Sequence, residues 1–153
     1  MADLKERLRS DLTASIKARD ALRSSTLRMV LSAITNAEVA GKSARELTDD
    51  EVLTILGTEG KKRREAAEAF DAGNRPELAA KEREEAVIIG AYLPEQLSED
   101  EIMALVTAVV EETGSAGLGM KAMGRVMGAL APQVKGKADG RVVAAIVKQQ
   151  LGA

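Results

Sequence analysis

Apolar residues recur three or four positions apart along almost the whole chain, and this spacing leaves it little to fold into besides packed helices. Leu4, Leu8, Leu12 and Ile16 fall every four residues, and Leu22, Leu27, Val30, Leu31 and Ile34 continue the pattern, which puts one apolar stripe on each of two helices. Their break is expected near Ser24-Ser25, with the two helices antiparallel. The stretch VAGKSAREL, residues 39–47, reads as a loop, and Thr48-Asp-Asp-Glu51 as a capping box opening a third helix. That helix presents Val52, Ile55, Leu56, Ala66, Ala67 and Phe70 and ends at Asp71-Ala-Gly-Asn74, with Gly73 expected in the left-handed position. Gly57 and Gly60 inside it each cost about 1 kcal/mol relative to alanine, so either the helix bends there or a neighbour comes close.

Pro76 starts a fourth helix whose last residues, VIIGAYL, run into Pro94. Ser98-Glu-Asp-Glu101 is a second capping box, followed by Ile102, Leu105, Val106, Val109 and Val110 on one face and a stop at Gly114. Met120, Met123, Met127 and Leu130 mark a sixth helix ended by Pro132, and Val142, Val143, Ile146, Val147 and Leu151 a seventh beginning at Asp139-Gly140. The predicted fold is all-α: a four-helix N-terminal domain over 1–93, a link at 94–97 and a small three-helix C-terminal domain over 98–153. Composition agrees, because one Phe, one Tyr, no Trp and three prolines in 153 residues describe an aliphatic helical core.

The chain has neither cysteine nor histidine. Disulfides, thiolate and imidazole metal sites, Cys/His pairs and the Ser/His/Asp triad are thereby excluded, leaving only carboxylates, Lys, Tyr and hydroxyls for catalysis. No catalytic residue, metal ligand or cofactor is expected. The N-terminal MADLKERLRSDL has no apolar run long enough for a signal peptide or membrane span, so a cytoplasmic protein with no membrane partner is the expectation.

Several motifs have plainer explanations than function. GLGMKA, residues 117–122, fits the permissive dinucleotide pattern with Asp139 downstream, but no strand runs into Gly117 as that fingerprint requires. KKRR, residues 61–64, points around a whole helix, and Glu59 with Arg63, Lys61 with Glu65 and Arg64 with Glu68 are i,i+4 pairs, so a salt-bridged solvent face accounts for it better than a nucleic-acid patch. Asp49, Asp50 and Glu51 complement a helix dipole. Glu82, Glu84 and Glu85, alternating with Lys81 and Arg83, read as a solvated face, with a carboxylate cluster for a hard metal as the alternative. The methionines form either core or an adaptable groove for a partner.

Charge is distributed unevenly. Residues 115–153 hold Lys121, Arg125, Lys135, Lys137, Arg141 and Lys148 against Asp139, six cations to one acid and hence net +5, while the whole chain is −2 and the remainder therefore −7. Lys121 and Arg125 are spaced i,i+4 on one expected helix face. In PQVKGKADGRVV, residues 132–143, Pro132, Gly136 and Asp139 suit a turn that closes one helix and caps the next. Lys135, Lys137 and Arg141 fall outside that explanation, and a helix N-terminus flanked by three cations would also seat a phosphate.

KKRREAAEAFDAGNRPELAAKEREE, YLPEQLSEDEI and MGRVMGALAPQVKGKADGRVV together resemble the YqeY family, whose C-terminal part is similar to the tail domain of GatB, a subunit of tRNA-dependent amidotransferase. The resemblance spans nearly the whole chain and implies the same division into four helices and three. The positions that match the tail-domain signature are Met123, Gly124, Arg125, Val126 and Met127, then Gly136, Ala138, Asp139 and Gly140; where an acid usually precedes Met-Gly, this chain has Ala122. The resemblance implies a role near tRNA-linked amidation and a label of carbon-nitrogen ligase with glutamine as amide donor. The amidotransferase, however, needs a glutaminase partner and a large catalytic domain for which 153 residues have no room. The expected function is a non-catalytic tRNA-binding or tRNA-associated adaptor, with Lys121, Arg125, Lys135, Gly136, Lys137, Asp139, Gly140 and Arg141 at the RNA and no DNA partner. A protein-interaction module and, behind it, a component of an amidotransferase are the alternatives.

Overall fold

The computed structural model describes residues 3–152; residues 1, 2 and 153, the outermost positions of the two expected domains, lie outside the described residues. Among the described residues the chain is all-α, with seven α-helices, one 3-10 turn and no strand. The absence of strands among those residues removes the frame that the GLGMKA motif would need. The chain forms two compact units, Met1–Leu93 and Pro94–Ala153.

The first unit holds α1 (Asp3–Lys17), α2 (Ala21–Val39), α3 (Asp49–Ala72) and α4 (Pro76–Gly90) around Leu8, Leu27, Val30, Ile34, Val52, Leu56, Ile88 and Ile89. The break between α1 and α2 lies at residues 18–20, not at Ser24-Ser25. Arg19 takes the left-handed conformation (φ 58°), its N–H and that of Asp20 close back on Ile16 and Ser15, and Asp20 caps α2 by accepting from the Arg23 N–H at 3.1 Å. Ser24 sits inside α2, buried, with its hydroxyl 2.8 Å from that of Ser15 on α1, so the polar pair joins the two helices instead of separating them.

Thr48 and Glu51 form the reciprocal box expected at the start of α3. Arg45 reaches both Glu51 carboxylate oxygens, at 3.0 and 2.6 Å, and with the Thr48 N–H holds that carboxyl down at about 2. At the other end of α3 the left-handed residue is Asn74 (φ 58°), not Gly73 (φ −84°); the Asn74 and Arg75 N–H groups bond Asp71 and Phe70, so the reversal falls one residue later. Gly60 makes ordinary contact with α4, a Cβ there standing 3.5 Å from Ile89, and Gly57 has open space, so neither glycine is required by a close neighbour.

Of the expected solvated face of Lys81–Glu85, Lys81, Arg83 and Glu84 are exposed, but Glu82 and Glu85 turn toward α3. Arg63 turns inward and lies 3.6 Å from Glu59, 3.7 Å from Glu82 and 3.8 Å from Glu85, with all four side chains no more than 21% exposed. Burial and the neighbouring Glu82 carboxylate push the Glu85 carboxyl above its usual range. Of the KKRR run only Lys62 and Arg64 are exposed; the i,i+4 rule identified the Glu59–Arg63 pair but not that tertiary packing would bury it.

Tyr92, the only tyrosine, is buried at the end of this unit, donating from its hydroxyl to Asp11, with the Arg7 guanidinium 4.8 Å from its ring centre. Burial and the Asp11 carboxylate both raise its pKa.

The second unit holds α5 (Glu99–Glu112), the 3-10 turn Gly119–Ala122, α6 (Met123–Val134) and α7 (Gly140–Gln150) around Ile102, Val106, Val109, Val126, Leu130, Val143 and Val147. Ser98 caps α5 by accepting from the Glu101 N–H at 3.1 Å. Gly114 (φ 63°) closes α5, with N–H bonds from Gly114 to Glu111 and from Ser115 to Val110. Pro132 does not end α6, which continues to Val134; the N–H that proline lacks would have bonded Gly128, and this falls in the last turn, where the helix has few bonds left to lose.

Candidate nucleic-acid interface

The turn 135–139 joins α6 to α7, and backbone chemistry fixes its shape. The Lys135 N–H bonds Ala131 at 3.1 Å, and Lys137 and Ala138 both donate to the Val134 carbonyl, at 2.9 and 3.1 Å. Gly136 is left-handed (φ 72°), and a side chain there would face the Pro94 ring at 3.7 Å. Residues 94–97 bind this turn directly: the Leu97 N–H donates to the Lys137 carbonyl at 2.8 Å, and the Gln96 side-chain amide to the Gly136 carbonyl at 2.8 Å. No sequence rule pairs YLPEQL with KGKADG, so only the folded chain reveals these bonds.

Asp139 is the α7 N-cap, its carboxylate accepting from the Arg141 N–H at 2.9 Å. This changes the phosphate-seat reading in one respect. The carboxylate already occupies the first turn of α7 and satisfies its dipole, so an approaching phosphate would meet like charge there. Attraction for an anion at this end must therefore come from the side chains of Lys135, Lys137 and Arg141, all exposed.

Lys121 and Arg125 do not share an α-helical face. Lys121 lies in the 3-10 turn and Arg125 in the first turn of α6, where its guanidinium donates to the Thr113 carbonyl at the end of α5, at 3.4 Å. Both are exposed. Ten residues of helix separate Arg125 from Lys135, about 15 Å along the axis, so the expected site residues fall into two groups at opposite ends of α6. Gly136, Asp139 and Gly140 join the Lys135–Arg141 group, but as parts of its backbone.

The methionines divide in the same way. Met123 and Met127 pack against the core, while Met120 is 59% exposed. Between α6 and α7 an apolar groove of about 530 Å³ runs past Met127, Gly128, Ala131, Pro132 and Val143 to Lys135. Its proline and glycine carry the sequence signature of stops and turns, and nothing in their spacing signals a groove. Among the described residues no cluster of three or more carboxylates is arranged to hold a metal ion, and no helix is long and apolar enough to cross a membrane.

Comparison with known proteins finds relatives over more than half of the chain. An uncharacterized protein of Schizosaccharomyces pombe is 38% identical over 92 residues, covering 60% of this chain and 72% of that protein. The proteins called "Altered inheritance of mitochondria protein 41, mitochondrial" are 35% identical over 109 residues in Lachancea thermotolerans, covering 69% of this chain and 57% of that one. In Saccharomyces cerevisiae (strain YJM789) the protein of that name is 35% identical over 88 residues, covering 56% and 46%. This chain thus spans about half the length of those mitochondrial relatives. The Yqey-like protein family matches residues 5–151, nearly the entire sequence, and the chain belongs to the YqeY family.

Proposed function

We propose that this protein is a non-catalytic, RNA-binding adaptor whose second unit holds tRNA by its phosphate backbone. The observation that carries the reading is the exposure of Lys121, Arg125, Lys135, Lys137 and Arg141 on a unit whose segment 115–153 has a single acid. The exposed cations at the two ends of α6 would follow a backbone, and the hydrogen bonds from Gln96 and Leu97 limit the entropy lost when the 135–141 turn is engaged. The only Tyr and Phe are Tyr92 and Phe70, both in the first unit, so the second offers no aromatic face for a base, and affinity would be electrostatic and weakly sequence-selective. Its site of action is an aqueous compartment containing tRNA: the cytoplasm, or the mitochondrion that the relatives' names indicate.

Titration of labelled bulk tRNA by fluorescence anisotropy at low and near-physiological salt tests this. Micromolar binding that persists at the higher salt is expected. Lys135→Ala/Lys137→Ala/Arg141→Ala should reduce the slope of log K against log salt by up to about 3, roughly 0.7–0.9 for each phosphate no longer neutralised. An unchanged slope removes these residues from the interface. A place within an amidotransferase would need glutamine-dependent ammonia release, and with no cysteine in the chain a thioester route is closed.

A further inference from the structure

Arg19 occupies a backbone conformation that its side chain opposes. Among the described residues the other positions with positive φ are Asn74 and five glycines, the residue types that tolerate this region, whereas Arg19 holds φ 58° with a long side chain. No contact within the fold offsets the strain. Arg19 is exposed, and among the described residues its guanidinium has no hydrogen-bond or ion-pair partner, while Arg9, Arg23, Arg45, Arg75 and Arg83 on the same unit each meet a carboxylate. A strained surface residue with no internal task points to a task outside the chain.

Charge around the α1–α2 turn has the same direction. Residues 12–37 hold Lys17, Arg19, Arg23 and Arg28 against Asp20 alone, net +3, while the rest of 1–114 is net −10. Asp20 is matched within the chain, capping α2 and lying 3.5 Å from Arg23. The turn therefore presents the uncompensated charges of Lys17 and Arg19, both exposed and both unpaired among the described residues. Further along α2, Arg28 lines a groove of about 410 Å³ with Ser32, Thr35 and Asn36, donors of the kind that bind phosphate and sugar oxygens, and no acid lines it. Ile16 is the only large apolar residue exposed between 12 and 37. That favours a phosphate backbone over a protein interface, whose centre is depleted of charge and rich in apolar side chains.

We infer that Arg19, with Lys17, is a phosphate contact on the first unit, a second point at which the protein grips the RNA backbone. Resting on the RNA-binding function proposed for the second unit, this contact adds a site outside residues 98–153. A guanidinium can hold a phosphate through two parallel N–H bonds. Glycine at 19 would relieve the strain and remove the contact, so stability and binding move in opposite directions at this position.

Arg19→Gly, Arg19→Ala and Arg19→Lys in the full chain separate charge from strain. Glycine removes both, alanine removes the guanidinium and keeps the strain, and lysine keeps a charge on the strained backbone. In anisotropy titrations of labelled bulk tRNA at about 0.1 M salt, the glycine and alanine variants should each bind about fivefold more weakly, with the slope of log K against log salt lower by roughly 0.7–0.9. Lys17→Ala should lower the slope by a similar amount, and Arg19→Lys should retain it. Urea unfolding should place the midpoint of Arg19→Gly above that of the wild type, so that its weaker binding is not a loss of fold. An unchanged slope in the glycine and alanine variants, with wild-type tRNA binding intact, overturns the inference and spares the function proposed for the second unit. A slope lost equally in Arg19→Lys also overturns it, because the turn would then act through its shape and not its charge. Absence of tRNA binding by the wild type overturns both.

Discussion

Arg63→Met tests the description of the α3–α4 interface most severely. Arg63 faces three carboxylates within 3.8 Å, none more than 17% exposed. A pair of unit charges near 4 Å is worth about 4 kcal/mol at an effective dielectric of about 20, so the gross attraction is roughly 12 kcal/mol. Desolvation and repulsion among the carboxylates offset most of that, and breaking a buried pair costs about 3–5 kcal/mol net. Arg63→Met should lie near 4 kcal/mol at about pH 7.5, because it strands Glu82 and Glu85 and leaves Glu59 with only its pair to Lys62 at 3.2 Å. The loss should shrink in acid. Glu85 has a folded pKa raised above its ordinary 4.5, so between 4.5 and that raised value the folded state binds more protons than the unfolded, and stability from this group falls as pH rises through the window. Removing Arg63 raises the Glu85 pKa further and widens the window, so the variant should be markedly more stable at about pH 5 than at 7.5. Urea unfolding followed by Tyr92 fluorescence reads the first unit selectively, since the second contains no aromatic residue. Adding Glu82→Gln and Glu85→Gln should restore most of the loss even if Arg63→Met alone is largely unfolded. A loss below about 1 kcal/mol at both pH values would place the cluster in effectively aqueous screening, and no rescue by the glutamines would refute the electrostatic reasoning.

Arg19→Gly should raise the stability of the first unit by up to about 1 kcal/mol, because glycine adopts the left-handed conformation that a side chain at 19 opposes; a loss in the same urea titration would mean that the Arg19 side chain makes a compensating contact. Tyr92→Phe leaves Asp11 without its hydroxyl partner, and since Asp11 is partly in water the cost should fall at about 1 kcal/mol, the low end for an orphaned group, read by thermal unfolding at neutral pH. Asp139→Ala removes the α7 cap, costing about 1 kcal/mol, read by amide exchange in α7. It should nonetheless strengthen tRNA binding, because a carboxylate is removed from the cationic turn; weaker binding would make Asp139 a direct RNA contact.

Helices with periodic apolar faces and side-chain caps are legible in the sequence, because spacing and capping residues are local properties. Val52 and Leu56 behind the Thr48 box, and Ile102 to Val110 behind Ser98, are examples. What misleads is chemistry decided elsewhere. Arg19 closes α1 in a conformation usually left to glycine, so the break between α1 and α2 has no marker, whereas Ser24 carries polar character that the Ser15 hydroxyl satisfies from across the helix pair. Glu85 looks solvated because its neighbours in sequence are charged, and only the packing of α3 on α4 buries it. Pro132 is tolerated inside α6 because it stands in the last turn, where the helix has few bonds left to lose.

The candidate site shows the same division more finely. Of its eight residues, Arg125, Gly136, Asp139 and Gly140 fall at positions of the tail-domain signature that the resemblance implies, and two of them have a demonstrable task in folding. Gly136 allows the left-handed turn against Pro94, and Asp139 caps the helix that Gly140 begins. Ala138, another signature position, packs against the core. That part of the signature therefore specifies the α6–α7 turn before it specifies any ligand, and a chain could preserve it while changing what it binds. Binding must be sought in the side chains that the turn displays. Their spacing is set by the rigid backbone beneath them, so the effect of the three-alanine variant should appear in the salt dependence of RNA binding with the α6–α7 turn still formed.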